Sequence, residues 1–93
     1  LINNPELNDF LEGVKIESAH QTERWGIEHE ENKYPHDYSL VIDKLKGKLA
    51  VAIWENNEEK YRHHLITVSA VCFNAFRQIL KEGTRMNHFF KNK

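Results

Sequence analysis

Cysteine is nearly absent from this 93-residue chain: Cys72 stands alone, so no internal disulfide can form and a reducing, cytoplasmic setting is expected. Only two prolines, Pro5 and Pro35, and four glycines interrupt it, and no low-complexity tract or internal repeat is present. So few breakers leave room for long helices. No apolar run approaches the roughly 18–20 residues that cross a bilayer, which excludes a transmembrane helix. The opening Leu1-Ile2-Asn3-Asn4-Pro5 has neither a basic start nor a long apolar stretch, and does not read as a signal peptide. Nor does one charge dominate. Thirteen Lys and Arg against fourteen Asp and Glu leave −1, too balanced to mark a nucleic-acid binder. What the chain does hold is 40% hydrophobic residues, with two Trp, three Tyr and five Phe. A domain this small buries only a modest fraction of such surface by itself.

Hydrophobic spacing divides the chain into three principal helices. Asn4-Pro5-Glu6 reads as an N-cap, a proline at the first helical position and an early acid. A helix follows over about 5–25 and ends at Gly26, with Leu7, Phe10, Leu11, Val14, Ser18 and Trp25 as its stripe. Gly13 within it costs about 1 kcal/mol relative to alanine, which packing must offset. Residues 27–37 show no sustained period and read as a polar connection. Asp37 is placed to cap a second helix over about 38–55, whose main stripe is Tyr38, Val41, Ile42, Leu45, Leu49, Ala52 and Ile53. Leu49–Trp54 also suits a strand, but the helical period continuing from Tyr38 favours helix. Leu40, Gly47, Val51 and Trp54 form a second apolar line on nearly the opposite side, which predicts a partner helix approaching over Gly47. Asn56-Asn57-Glu58-Glu59 starts a third helix over about 58–82, terminated by Gly83. Tyr61, Leu65, Val68, Cys72, Phe76 and Ile79 are its expected core stripe, flanked by Ile66, Phe73 and Leu80, and place Cys72 as an inert core thiol. The basic, aromatic segment 84–93 is either a short docking segment or an ordered tail. The fold class expected is all-α: a three-helix, largely antiparallel bundle completed by dimerisation.

Six histidines invite a metal, yet there is no His-Glu-x-x-His or Cys-x-x-Cys. Glu17-Ser-Ala-His20 has the Glu-x-x-His letters of a di-iron bundle, an architecture that needs two such elements and two further glutamates. No glycine-rich phosphate loop or nucleophile elbow occurs. Arg77, Lys81, Arg85, Lys91 and Lys93 beside Phe89 and Phe90 could track a phosphate backbone, but a solvated terminus explains them equally well. The informative pattern lies on the third helix. His63, Thr67, Ala70 and Asn74 fall within roughly 60° of one another, opposite the apolar stripe. No charge interrupts this line, as it would on an ordinary solvent face. It predicts hydrogen-bonding groups inside a contact, as a structural network or as a ligand-lining wall. Paired with the first helix, the line yields a candidate polar pocket of Glu17, His20, Gln21, Arg24, His63, Thr67 and Asn74, with His29 and Lys48 at its rim. Such cations and imidazoles suit a small anionic ligand.

The string Glu17-x-x-His20-Gln21-x-x-Arg24-Trp25-Gly26-x-x-His29, then Lys33, Leu45-Lys46-Gly47-Lys48 and Lys60-x-x-His63-His64 with Ala70 and Asn74, resembles a small protein family of phages and prophages. The match spans about residues 17–74 in order. It departs at Glu30, where the family more often has aspartate, and has Tyr38 where an aromatic residue often stands. The resemblance implies an origin in phage or mobile-element biology, and no reaction. A looser similarity runs to the MazG-like all-α nucleotide pyrophosphatases, which build sites between helices of paired subunits. It implies a nucleotide substrate and magnesium held by clustered carboxylates, typically Glu-Glu-x-x-Glu and a later Glu-x-x-Asp. Here His63, Thr67 and Asn74 stand where acids would be expected, and Glu6-x-x-Asp9 sits in the first turn of the first helix. The expectation is a homodimeric binding module with no metal cofactor. The alternative is a MazG-like pyrophosphatase, or a catalytically degenerate relative, acting with magnesium.

Overall fold

A computed structural model describes residues 3–91; the first two residues of the opening segment and the last two of the 84–93 segment lie outside that range. The described chain is all-α, with helices α1 (Pro5–Trp25), α2 (Ile27–Glu31), α3 (Pro35–Trp54), α4 (Glu58–Leu80) and α5 (Arg85–Lys91). α1 and α4 each begin on an asparagine whose side chain accepts from one free N–H of the first turn. Asn4 Oδ1 accepts from Leu7 N at 3.0 Å, and Asn57 Oδ1 accepts from Lys60 N at 3.0 Å. The second long helix starts at Pro35, ahead of the predicted 38. Proline presets the first helical φ, and Asp37 acts from inside the helix, accepting from Tyr34 N at 2.9 Å. Leu49–Trp54 is helical. Gly26 at φ 88° and Asn56 at φ 53° turn the chain after α1 and α3, in a region that glycine and asparagine tolerate.

Five helices replace the expected three. α2 interrupts the segment expected to be a connection. α5 docks through Met86 and Asn87, both buried, so Arg85–Lys91 is a docked helix. Thr84, fully buried, is its anchor: its hydroxyl donates to Gln78 O at 2.5 Å and accepts from Asn87 N at 3.1 Å.

The long helices run up, down, up around a central α4. Gly13 lies against Ile66 and Thr22 against Arg77, so α1 and α4 advance in parallel. A Cβ on Gly13 would stand 2.5 Å from Ile66 Cδ1, so the glycine admits this close approach. α3 runs antiparallel, placing Lys48 near His64 and Tyr38 near Arg77. The apolar core lies between α3, α4 and α5: Tyr38, Leu45, Val71 and Met86, with Val41, Ile42, Val68, Ala75 and Ile79 packed around them.

The expected orientation of α4 is reversed in part. Ala70, Val71, Asn74 and Gln78 are buried, whereas Cys72, Phe73, Phe76 and Leu80 are exposed. The cause lies on α1, whose buried residues are Ser18 and Gln21. A polar face on α1 needs hydrogen-bonding partners, and the uncharged line of α4 supplies them, turning part of the apolar stripe outward. Cys72 is therefore exposed rather than a core thiol. No helix among the described residues is long and apolar enough to cross a membrane.

Candidate functional site

The seam between α1 and α4 is a chain of side-chain hydrogen bonds. Ser18 Oγ donates to Asn74 Oδ1 at 2.6 Å, and Asn74 Nδ2 donates to Gln21 Oε1 at 3.0 Å. Gln21 Nε2 in turn donates to Thr67 O at 3.3 Å and to Glu17 Oε2 at 3.5 Å. Further along, Arg77 Nη2 reaches Asn74 Oδ1 at 3.0 Å, Thr22 Oγ1 at 3.2 Å and Glu30 Oε2 at 3.3 Å. Glu30 is 4% exposed, and a carboxylate so deep requires this guanidinium and the Thr22 hydroxyl, which donates to it at 3.0 Å. Arg77–Glu30 and the adjoining Lys81–Glu31 ion pair fasten α2 to the end of α4.

Beside this seam, α1, α2 and α3 enclose a cleft of about 630 Å³ over α4. Thr67, Val71 and Asn74 form its floor, with Gln21 and Tyr38 on the walls. Arg24, Lys33, Lys44 and Lys48 line it as cations, against the carboxylates of Glu17, Glu30 and Asp37. Because Arg77 neutralises Glu30, four cations face two uncompensated acids. Trp25 and His29 stack at one end, ring centroids 5.7 Å apart and planes 24° from parallel. Lys33 Nζ lies 5.0 Å from the centre of the Tyr38 ring. The Tyr38 hydroxyl is buried without a hydrogen-bond partner, and this burial, reinforced by the Glu30 carboxylate, pushes its pKa up to about 12.

Of the nine residues singled out from the sequence, the cleft gathers Glu17, Gln21, Arg24, His29, Lys48, Thr67 and Asn74. His20 and His63 stand apart, in a shallow depression of about 500 Å³ that also involves Glu17, Gly13, Ile66 and Arg62. The separation follows from helix geometry: Gln21 and Asn74 close the α1–α4 seam, and the two histidines fall on its far side. Lys33, Tyr38 and Lys44 are cleft residues that the sequence reading did not select. Lys44 and Lys48 share a helix face at i, i+4, a spacing that could have paired them, but Tyr38 carried only the signal of a core aromatic.

Among the described residues, no group of three or more His, Cys, Asp or Glu side chains converges to hold a metal ion. The carboxylate set that magnesium-bound triphosphate requires is therefore not assembled by these residues. Three cations of the basic C-terminal segment are engaged within the fold. Arg77 and Lys81 hold acids of α2, and the Arg85 guanidinium sits 5.0 Å from the Tyr34 ring centre. Compared with known protein families, curated proteins and solved structures, the chain matches none, and its functional reading rests on the cleft itself.

Proposed function

We propose that this chain is a small, self-associating helical binding module whose cleft takes a small anionic ligand. The observation that carries the reading is the pairing of a cationic rim with an uncharged hydrogen-bonding floor. Arg24, Lys33, Lys44 and Lys48 supply charge-assisted donors, while the Gln21 and Asn74 amides are fixed by their mutual bond. A preorganised floor of this kind orders few groups on binding, which limits the entropy lost. The resemblance over residues 17–74 supports an origin in phage or mobile-element biology, and the lone thiol supports a cytoplasmic setting. Extensive apolar exposure on α3 and α4 supports a homodimer.

Thermal unfolding in the presence of inorganic phosphate, pyrophosphate or nucleoside triphosphates, each with and without magnesium, tests the reading. Magnesium-independent stabilisation that falls with added salt, and is lost in Lys44→Ala/Lys48→Ala, is the expected result. Stabilisation that requires both triphosphate and magnesium would instead favour the alternative, a MazG-like pyrophosphatase or degenerate relative. No response to any of these anions would overturn the anionic-ligand reading.

A further inference from the structure

At about 100° per residue, Leu65, Ser69, Cys72, Phe73, Phe76 and Leu80 share one face of α4. That face points away from the packed neighbours: Asn74 and Arg77 meet α1, while Val71, Ala75 and Ile79 belong to the core shared with α3 and α5. It is four turns long and has no charged residue among its members, and the Arg77 guanidinium borders it 5.4 Å from the Phe73 ring centre. Phe73 is 44% exposed, Phe76 60% and Leu80 66%. We propose that this stripe is the two-fold interface of a homodimer, α4 packing on α4 of a second copy. The proposal rests on the self-association read above and names its surface.

The area is what a stable dimer needs. A phenylalanine presents about 150–250 Å² when fully exposed, so the uncovered parts of Phe73 and Phe76 contribute roughly 200 Å². Leu80, Cys72 and Leu65 bring the apolar area to roughly 400–500 Å², within the ~300–600 Å² of the largest patch on a typical monomer, a size that is often functional. Homodimer interfaces are about 65% apolar, so a contact holding this much spans roughly 700 Å² per copy, near the ~800 Å² of a standard stable interface.

Two features select a second copy as the occupant. Among the described residues the buried apolar ones are Tyr38, Leu45, Ala52, Ala70, Val71 and Met86, a small core in which two members are alanines. A fold so thinly supported needs its cover whenever it forms, and another copy is the surface supplied with every chain. The stripe is also self-complementary, since Ser69 and Cys72 leave a shallow centre between larger side chains. A two-fold axis passing near Cys72 seats the phenylalanines of each copy over the small residues of the other.

The line on α3 is the competing surface, with Trp54 94% exposed and nothing near the open side of Gly47. However, Leu40 on that line borders the cleft together with Lys44 and Lys48, so a helix docked there would cover the cleft and crowd its cations. Dimerisation through α4 leaves the cleft accessible.

Sedimentation of the full chain at roughly tens of micromolar, where a functional interface persists, supplies the first measurement. A short bis-maleimide that bridges only the native Cys72 thiols supplies the second, and Phe76→Glu and Val51→Glu the third. The expected result is a dimer that cross-links through Cys72. Phe76→Glu should raise its Kd at least about 30-fold, the loss typical of an interface anchor, and Val51→Glu should leave it unchanged. If Phe76→Glu does not fold, cross-linking of the unaltered chain decides. A dimer that fails to cross-link, or that Val51→Glu alone dissociates, overturns the α4 surface while self-association stands. A stable monomer overturns both.

Discussion

α4 packs against α3 through aliphatic and aromatic groups and against α1, beyond the Gly13–Ile66 contact, through amides, hydroxyls and one guanidinium. The two seams share a helix and differ in what they contribute. Between α3 and α4, Leu45 and Val71 lose water without needing a partner of defined geometry, so the gain scales with area. Between α1 and α4, Ser18, Gln21 and Asn74 gain little net energy per bond, because each bond replaces one to water. What they gain is a single arrangement, since any other leaves buried donors or acceptors unmade. The apolar seam holds the protein folded, and the polar seam fixes α1 at the edge of the cleft.

If this division holds, the largest effect comes from the apolar side. Leu45→Ala should lower stability by about 2–5 kcal/mol, a large part of what a domain of this size possesses. Chemical denaturation showing a loss below 1 kcal/mol would mean that the α3–α4 seam is not the main support. On the polar side, Arg77→Met removes the partner of a buried carboxylate. Breaking a fully buried pair costs about 3–5 kcal/mol, and the partial exposure of Arg77 lowers the expectation to about 2 kcal/mol. Adding Glu30→Gln should return part of that loss, because the stranded charge is gone. A double-mutant cycle without recovery would show that Arg77 acts through packing alone.

Much of this contrast was legible in the sequence, though its direction was not. Asn4-Pro5, Gly26 and Asn57 marked helix ends through local hydrogen-bonding and φ preferences, which need no tertiary information. The helical period on residues 63–74 also located a hydrogen-bonding line inside a contact, and Thr67 and Asn74 lie in it. The period could not decide which face of α4 turns inward. Hydrophobicity chose Cys72 and Phe76, whereas the polar surface of α1 drew Asn74 inward, and that choice belongs to the pair of helices. α2 and α5 span five and seven residues, too short for a period to emerge, and α5 is held by the buried Thr84 side chain rather than by a stripe. His20 and His63 were grouped with the cleft because a wheel projection blurs two sides of a seam that the structure separates.

Tyr38 sits where the two seams converge, an aromatic ring in the apolar core with an unpartnered hydroxyl near Glu30. A buried hydroxyl without a partner costs about 1–3 kcal/mol, so Tyr38→Phe should stabilise the protein by about 1 kcal/mol. Its pKa rises from 10 to about 12 on folding. The contribution of the neutral phenol is thus complete below pH 10 and is lost as pH rises from 10 toward 12, where the unfolded chain ionises first. Equilibrium unfolding should show this alkaline decline in the unaltered chain and a shallower one in Tyr38→Phe. Destabilisation by the substitution would indicate that the hydroxyl is satisfied after all.

The smallest effect tests the α3–α4 seam at its other end, where His64 lies between Lys48 and Lys60. Burial holds its pKa below the usual value of 6.5, and neighbouring His63, Lys48 and Lys60 push in the same direction. Its buried Nδ1 has no hydrogen-bond partner, so nothing in the fold rewards a proton there. The unfolded chain hydrates the ring and takes Lys48 away from it, and so takes up the proton more readily. The His64 contribution is therefore present above about pH 6.5 and is lost as pH falls through the depressed folded value. His64→Gln should flatten stability between about pH 7 and 5.5 while leaving the value at pH 8 little changed, because glutamine does not titrate and is close in size. Lys48→Ala should act partway, removing one repelling charge while burial remains. A His64→Gln profile running parallel to that of the unaltered chain would place the acid sensitivity elsewhere, and would mean that this end of the seam is open enough to hydrate the imidazolium.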